Sequence, residues 1–398
     1  MRRRVASLLS QCSARPREIA VPASPSPSSA TVVISSDVFS VIFCSLEFLF
    51  LDPAQYKRRG GWLDHRTRKF SIGSHLPYKI LITAPTLAEK AMEMLETHKA
   101  TVFTIPDGSP DSMIFDIASQ EQVDGIIVRI GEIDAQVIDA SASLRVLSKN
   151  GIGVDNVDVA HATRKGIPVV NGRNSNSQSV AEHALGMMIA LMKDFRRLDA
   201  SVREGKWEKA TFQGIELQGK HVGLIGFGGN GSALAKLLQP FGVRITAYDP
   251  YLKHDAFFGD VTRAAALDDF IADVDILSIH CPRTDETEGM IDAARFMQMK
   301  PTAYLINCAR GGIVDEEALV KALRTGSITA AGIDVFDIEA PPKDHSLWGL
   351  PNVLLSPHIA GVSHESFERM GIMAVENAYK ILNGDPIDPN CVVNPSTL

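Results

Sequence analysis

Regular patterning begins at Lys79. There Lys79–Thr83 is a short apolar run of the kind that forms a buried strand, followed by a helix-like stretch to about His98. Apolar runs at 101–105, 125–128, 145–148 and 168–170 continue the rhythm, each separated from the next by a helical stretch. Short apolar strands alternating with helices predict a parallel sheet covered by helices. The segment from Ser179 to about Leu198 is long, mostly apolar and free of Gly or Pro after Gly186, so it reads as one helix carrying the chain to a second unit that starts at Lys220. In that unit, strands are predicted at 221–226, 243–249, 276–280 and 303–307, with helical runs between them, a doubly wound arrangement.

Composition narrows the classes. At 398 residues the chain is too long for one ordinary core, which predicts two domains with extensions. With 45% hydrophobic and 22% charged residues it falls among soluble globular proteins, and a net charge of −7 supplies no basic field for a nucleic-acid backbone. Cys12, Cys44, Cys281, Cys308 and Cys391 are scattered, with no C-x-x-C and no accompanying His cluster. Neither a metal site nor a disulfide framework is expected, and a reducing, cytoplasmic setting fits.

Residues 1–78 lack the later rhythm and read as an extension outside the catalytic fold. Their Arg- and Ser-rich, acid-poor start, with Arg2, Arg3, Arg4, Arg15 and Arg17 around the first acid Glu18, fits a presequence directing the chain to the mitochondrial matrix. It fits equally a disordered extension or a wrong gene start. The apolar stretch 39–51 contains Glu47 and is shorter than a membrane span, so no membrane partner is expected. The basic run from Lys57 to Lys69 reads as a solvated linker or an anionic-surface contact.

Candidate chemistry starts at Gly226-Phe-Gly228-Gly229-Asn230-Gly231, between a strand and a helix. In that context Gly226 makes the tight turn, Gly228 admits a pyrophosphate to the backbone, and Gly231 lets helix and strand pack closely. The diphosphate then meets the helix N-terminus. Asp249 ends the next strand 18 residues beyond Gly231, where a carboxylate bonds a ribose 2′-hydroxyl and repels a 2′-phosphate, so the cofactor predicted is NAD. Arg310 follows a strand end, where a guanidinium suits a carboxylate and an adjacent carbonyl oxygen. Asp334, Glu339 and His358 come just after further apolar runs.

Together these motifs resemble the D-isomer-specific 2-hydroxyacid dehydrogenases, nearest to the D-3-phosphoglycerate dehydrogenases of serine biosynthesis. The matching stretches are Lys149–Asp158, Ser179–His183, Gly205–Trp207, Gly226–Gly231, His280–Pro282, Asn307–Leu319, Asp334–Phe336 and Pro357–His358. The resemblance implies an α/β fold of two doubly wound parallel-sheet domains. A Rossmann NAD-binding domain (179–359) is inserted into a flavodoxin-like substrate domain (79–178 and 360–398), whose last helix returns at about 363–382. It implies that Arg310 binds the substrate carboxylate or carbonyl, that His358 exchanges the proton and that Glu339 is its partner. It also places Arg129 and the backbone of Asn150, Gly151 and Gly153 at the substrate, with Lys149 and Lys193 adding charge that suits a small anionic, even phosphorylated, 2-hydroxy or 2-oxo acid.

By the same resemblance Cys281 and Pro282 line the adenosine side, Cys308 borders the cofactor with its thiol in packing, and Asp334 lies near the nicotinamide. A homodimer is implied, as is an end of chain that leaves no room for further regulatory domains. Three departures stand out. Gly229-Asn230 replaces the family's Arg-Ile, which removes a phosphate contact and an apolar residue and predicts tighter NADH binding on restoring Arg-Ile. Arg283 replaces an apolar residue, and Ala340 intervenes before Pro341. The alternatives on the same scaffold are glyoxylate or hydroxypyruvate reduction and a NAD-sensing corepressor-type binding protein. Formate dehydrogenases usually carry Gln in place of Glu339.

Overall fold

The computed structural model describes residues 77–398; the presequence-like start, the apolar stretch 39–51, the basic run, Cys12 and Cys44 lie outside the described residues. The first sheet is built from β1 (Lys79–Ile82), β2 (Thr101–Thr104), β3 (Gly125–Val128), β4 (Val146–Lys149) and β5 (Val169–Asn171). Its strands lie in the order β2-β1-β3-β4-β5, every neighbouring pair parallel, which is the flavodoxin-like order. Its covering helices are α1 (Glu89–Thr97), α2 (Ser112–Glu121), α3 (Ala135–Ala140) and α4 (Val159–Arg164). Alternation along the strands sorts two cores: Ile80 and Ile82 pack with one, Leu81 and Val128 with the other.

Between the sheets the chain does not form one helix. α5 (Ser177–Met192) ends at Lys193, and α6 (Phe195–Arg203) starts after Asp194, whose left-handed φ of +51° breaks the run. An apolar pattern without Gly or Pro conceals this break, because Asp is among the few side chains that enter the left-handed region readily.

The second sheet contains β6 (His221–Ile225), β7 (Arg244–Tyr248), β8 (Thr262–Arg263), β9 (Ile276–Ile279), β10 (Tyr304–Asn307), β11 (Ala330–Ile333) and β12 (Val353–Leu355). Its order, β12-β11-β10-β9-β6-β7-β8, runs parallel throughout and reverses at β6, beside the glycine turn, as in dinucleotide-binding sheets. α7 (Gly229–Leu238), α8 (Ala293–Gln298) and α9 (Glu316–Thr325) connect its strands.

After β12 the chain rejoins the first sheet through α10 (His364–Asn383), capped by Ser363. Ser148 Oγ donates to Ala374 O at 2.7 Å and Asn377 Nδ2 to Asn171 O at 3.0 Å, fastening α10 to β4 and β5. The second sheet is thus inserted between two parts of the first lobe, and the carboxyl ends of both sets of strands border a shared cleft.

Candidate active site

The glycine turn obeys its steric logic atom by atom. Gly226 has φ +89°, and a Cβ there would lie 2.8 Å from backbone atoms of His280 and Cys281. A Cβ on Gly231 would collide with the Gly226 carbonyl oxygen, so helix and strand can approach only here without a side chain. Gly228 faces open space and caps α7, leaving its backbone accessible to a ligand. Asp249 accepts from Phe227 N at 2.9 Å and from Tyr251 N at 3.1 Å, so the carboxylate that ends β7 also holds the turn.

At position 229, where the family carries an arginine, side-chain ends of the β5–α5 connection lie close by. A Cβ there would collide with Asn174 Oδ1 and approach Ser177 Oγ to 2.7 Å. A side chain at 229 therefore has to turn the exposed Asn174 side chain of the β5–α5 connection aside before it can reach a phosphate.

His358 and Glu339 meet: the ring Nδ1 lies 2.8 Å from the Glu339 carboxylate, and both side chains are a little over two-fifths exposed. His358 sits in the left-handed region at φ +53°. Asp334, fully buried, holds it there. Its backbone carbonyl accepts from His358 N at 2.7 Å, and its carboxylate accepts from Ile359 N, Ala360 N and Ser356 Oγ at 2.9, 2.9 and 2.5 Å. Ser356 Oγ also lies 2.9 Å from His183 Nε2, linking the loop to α5. His183 and Ser356 carry no motif of their own; their only advance signal is that Ser179–His183 falls in a matching stretch. A hollow of about 480 Å³ beside the pair is walled by Phe336, Pro341 and Trp348.

Arg310 follows β10 and crosses to the first lobe, where its Nε donates to Asp155 Oδ2 at 2.9 Å and one terminal nitrogen to Ala309 O at 2.7 Å. A side chain on Gly153 would collide with the guanidinium, so that glycine makes room for it. The second cleft, about 440 Å³, contains Gly153, Arg310, Gly229, Asn230, Cys281 and Pro282. Asn150 is buried with Oδ1 unpaired, and Gly151 O accepts from Gly172 N at 2.7 Å.

Lys149 at the end of β4 donates to Asn156 Oδ1 at 2.7 Å, and burial pushes its amine down to about 8. Arg129 lies with its guanidinium 4.8 Å from the Phe367 ring centroid. Lys193 does not join them. It follows the far end of α5, a 16-residue helix that begins at the cleft with Ser177, so it is roughly 24 Å away by helix rise.

Cys281 and Cys308 are held as thiols. Burial pushes the Cys281 thiol up to about 12 and that of Cys308 higher still, and Cys308 Sγ packs 3.9 Å from Met187 Sδ. Burial also lowers His280 to about 4, keeping it neutral with Nε2 on Ser278 Oγ at 2.9 Å and Nδ1 unpaired. Ser177 Oγ and Asn230 Oδ1 are likewise buried without partners along the cleft. Open backbone at Gly228, a helix N-terminus and orphaned polar atoms beside it fit a dinucleotide diphosphate. Among the described residues no group of His, Cys, Asp and Glu is arranged for a metal, and no helix is long and apolar enough to cross a membrane.

A parallel sheet with its order reversed at a glycine turn, set into a second parallel-sheet lobe, defines a two-lobed dinucleotide-binding protein. Residues 185–360 match the model of the D-isomer specific 2-hydroxyacid dehydrogenase NAD-binding domain. The chain is 36% identical over 319 residues to a D-3-phosphoglycerate dehydrogenase of Archaeoglobus fulgidus, covering 80% of this chain and 60% of that one. It is 40% identical over 265 residues to a hydroxypyruvate reductase of Thermotoga maritima, covering 66% and 85%. A solved structure of a Thermus thermophilus protein superposes with a TM-score of 0.72 at 32% identity, covering 79% of this chain and 99% of that one. The chain belongs to the D-isomer specific 2-hydroxyacid dehydrogenase family. It spans about 50 to 60% of the length of the D-3-phosphoglycerate dehydrogenases it matches.

Proposed function

We propose that the protein is an NAD-dependent dehydrogenase of a small D-2-hydroxy acid, with 3-phosphoglycerate as the first candidate substrate. The observation that carries this reading is the 2.8 Å pairing of His358 Nδ1 with Glu339 on a turn held by Asp334. Bound NAD supplies the hydride acceptor at nicotinamide C4. A carboxylate accepting from Nδ1–H leaves Nε2 of His358 to take the proton of the C2 hydroxyl in oxidation and to return it in reduction. Arg310 retains donors beyond those used on Asp155 and Ala309, and these suit the substrate carboxylate and the C2 oxygen. Arg129, Lys149 and the backbone of Asn150, Gly151 and Gly153 supply the rest of the anion site. Gly226, Gly228, Gly229, Asn230, Gly231, Asp249, Cys281, Pro282, Cys308 and Asp334 form the cofactor side.

Reduction of hydroxypyruvate or glyoxylate is the second reading, favoured by the similarity to the Thermotoga maritima reductase. Self-association into a homodimer accords with the exposed Phe195, Val202, Trp207 and Ile215 between the two lobes' sheets in sequence. The test is turnover with NAD across D-3-phosphoglycerate, D-glycerate, glycolate and D-lactate. At least one is oxidised, and His358→Ala lowers kcat by about 10²- to 10⁴-fold, the usual worth of general acid–base catalysis, with the NADH Kd unchanged. Tight NADH binding with no turnover of any member would replace this reading with that of a binding module.

A further inference from the structure

We propose that Arg173 and Arg283, one from each lobe, are the cations that hold the dinucleotide's diphosphate against the N-terminus of α7. The inference rests on the NAD reading and assigns a task for which the turn itself is not equipped. Gly226–Gly231 contains no charged side chain, and Asn174 Oδ1 and Ser177 Oγ occupy the space beside position 229. Arg173 is the immediate neighbour of Asn174 and lines the same cleft as Gly229 and Asn230, with Arg283. Ser177, only 6% exposed, points an unpartnered Oγ there as well.

The other guanidinium in the cleft, Arg310, is bound to Asp155 and Ala309 and gives its remaining donors to the substrate in the proposed reading. Arg173 is exposed and pairs with no carboxylate among the described residues; Asp388 is held low chiefly by hydrogen bonds from Asn390, with Arg173 contributing little. Arg283 lies with its guanidinium over Gly312 and one terminal nitrogen on Glu288 Oε1 at 2.6 Å, and turning toward the diphosphate would exchange that exposed ion pair for a charge-assisted bond to phosphate. A diphosphate carries two negative charges, and planar guanidiniums bind phosphate oxygens in pairs. Arg173 follows β5 and Arg283 follows β9, so the same anion would tie the two lobes together.

The test is calorimetric titration of the full chain with NADH, ADP-ribose and adenosine. Arg173→Gln and Arg283→Gln each raise the Kd of NADH and of ADP-ribose by about tenfold, as expected for a lost charge-assisted bond, while adenosine binds as before. In the double variant the NADH Kd loses most of its dependence on salt. Arg173→Lys and Arg283→Lys, which keep the charge but not the paired donors, restore part of the affinity at unchanged Tm, separating charge from packing. An unchanged NADH Kd in both Gln variants, or equal losses for NADH and adenosine, overturns the proposal and leaves the NAD reading standing. A wild-type chain that binds no NADH overturns both.

Discussion

At His358 a single backbone angle shows how the site is held. A non-glycine residue in the left-handed region costs roughly 1–3 kcal/mol, and the Asp334 carboxylate and carbonyl around it offset that cost with hydrogen bonds. Arg310, Glu339 and His358 were legible through the family resemblance, since an ionisable residue after an apolar run says little by itself. Asp155, His183 and Ser356 were not, since their roles depend on partners 155, 173 and 22 positions away along the chain. Lys149 carries a prediction at this scale. Desolvation brings its amine to about 8; Asp155 pulls the value back up and Arg310 pushes it further down. Below pH 8 it is a cation and attracts an anionic substrate; above pH 8 it loses its proton and the attraction. KM for the substrate rises by about tenfold between pH 7 and 9.5 with kcat little changed, and Lys149→Arg, charged throughout, removes the rise. A KM flat across that range in the wild type would take Lys149 out of the substrate site.

Among the elements, the β6–turn–α7 unit was the most legible, because its glycines answer to local sterics. Even there, two glycines of one motif act differently, and substitution separates them. Gly231→Ala gains about 1 kcal/mol of helix propensity but drives a methyl group into the Gly226 carbonyl, a backbone atom that cannot rotate aside. The collision wins, and Tm falls by several degrees. Gly228→Ala meets no protein atom within 4 Å, so Tm is retained while NADH binding weakens as the methyl group enters the space facing the diphosphate. Thermal melts with NADH titrations of both variants check this; matching effects on Tm would refute the division of labour. The α5–α6 break and the packing of Asn174 against Gly229 escaped the reading of periodicity. One depends on a single left-handed Asp194, the other on a contact 55 positions apart.

Over the whole molecule, the chain's return through α10 makes the first lobe discontinuous and leaves Arg310 to bridge to Asp155 across the cleft. The exposed apolar side chains between residues 195 and 215 belong to this scale. Light scattering gives twice the chain mass, and the double variant Phe195→Asp, Trp207→Asp gives the mass of a single chain at unchanged secondary structure. A monomeric wild type would remove the homodimer. Local pattern was sufficient for β1–β7, β9 and β10, the alternation that makes them parallel and the glycine turn, because burial on both faces and backbone sterics act over a few neighbouring residues. Which charges face one another was settled by folding. Arg310 meets Asp155, Lys149 is desolvated, and Arg173 comes to line the same cleft as Gly229, because packing two lobes together sets distances and dielectric that no stretch of sequence encodes alone.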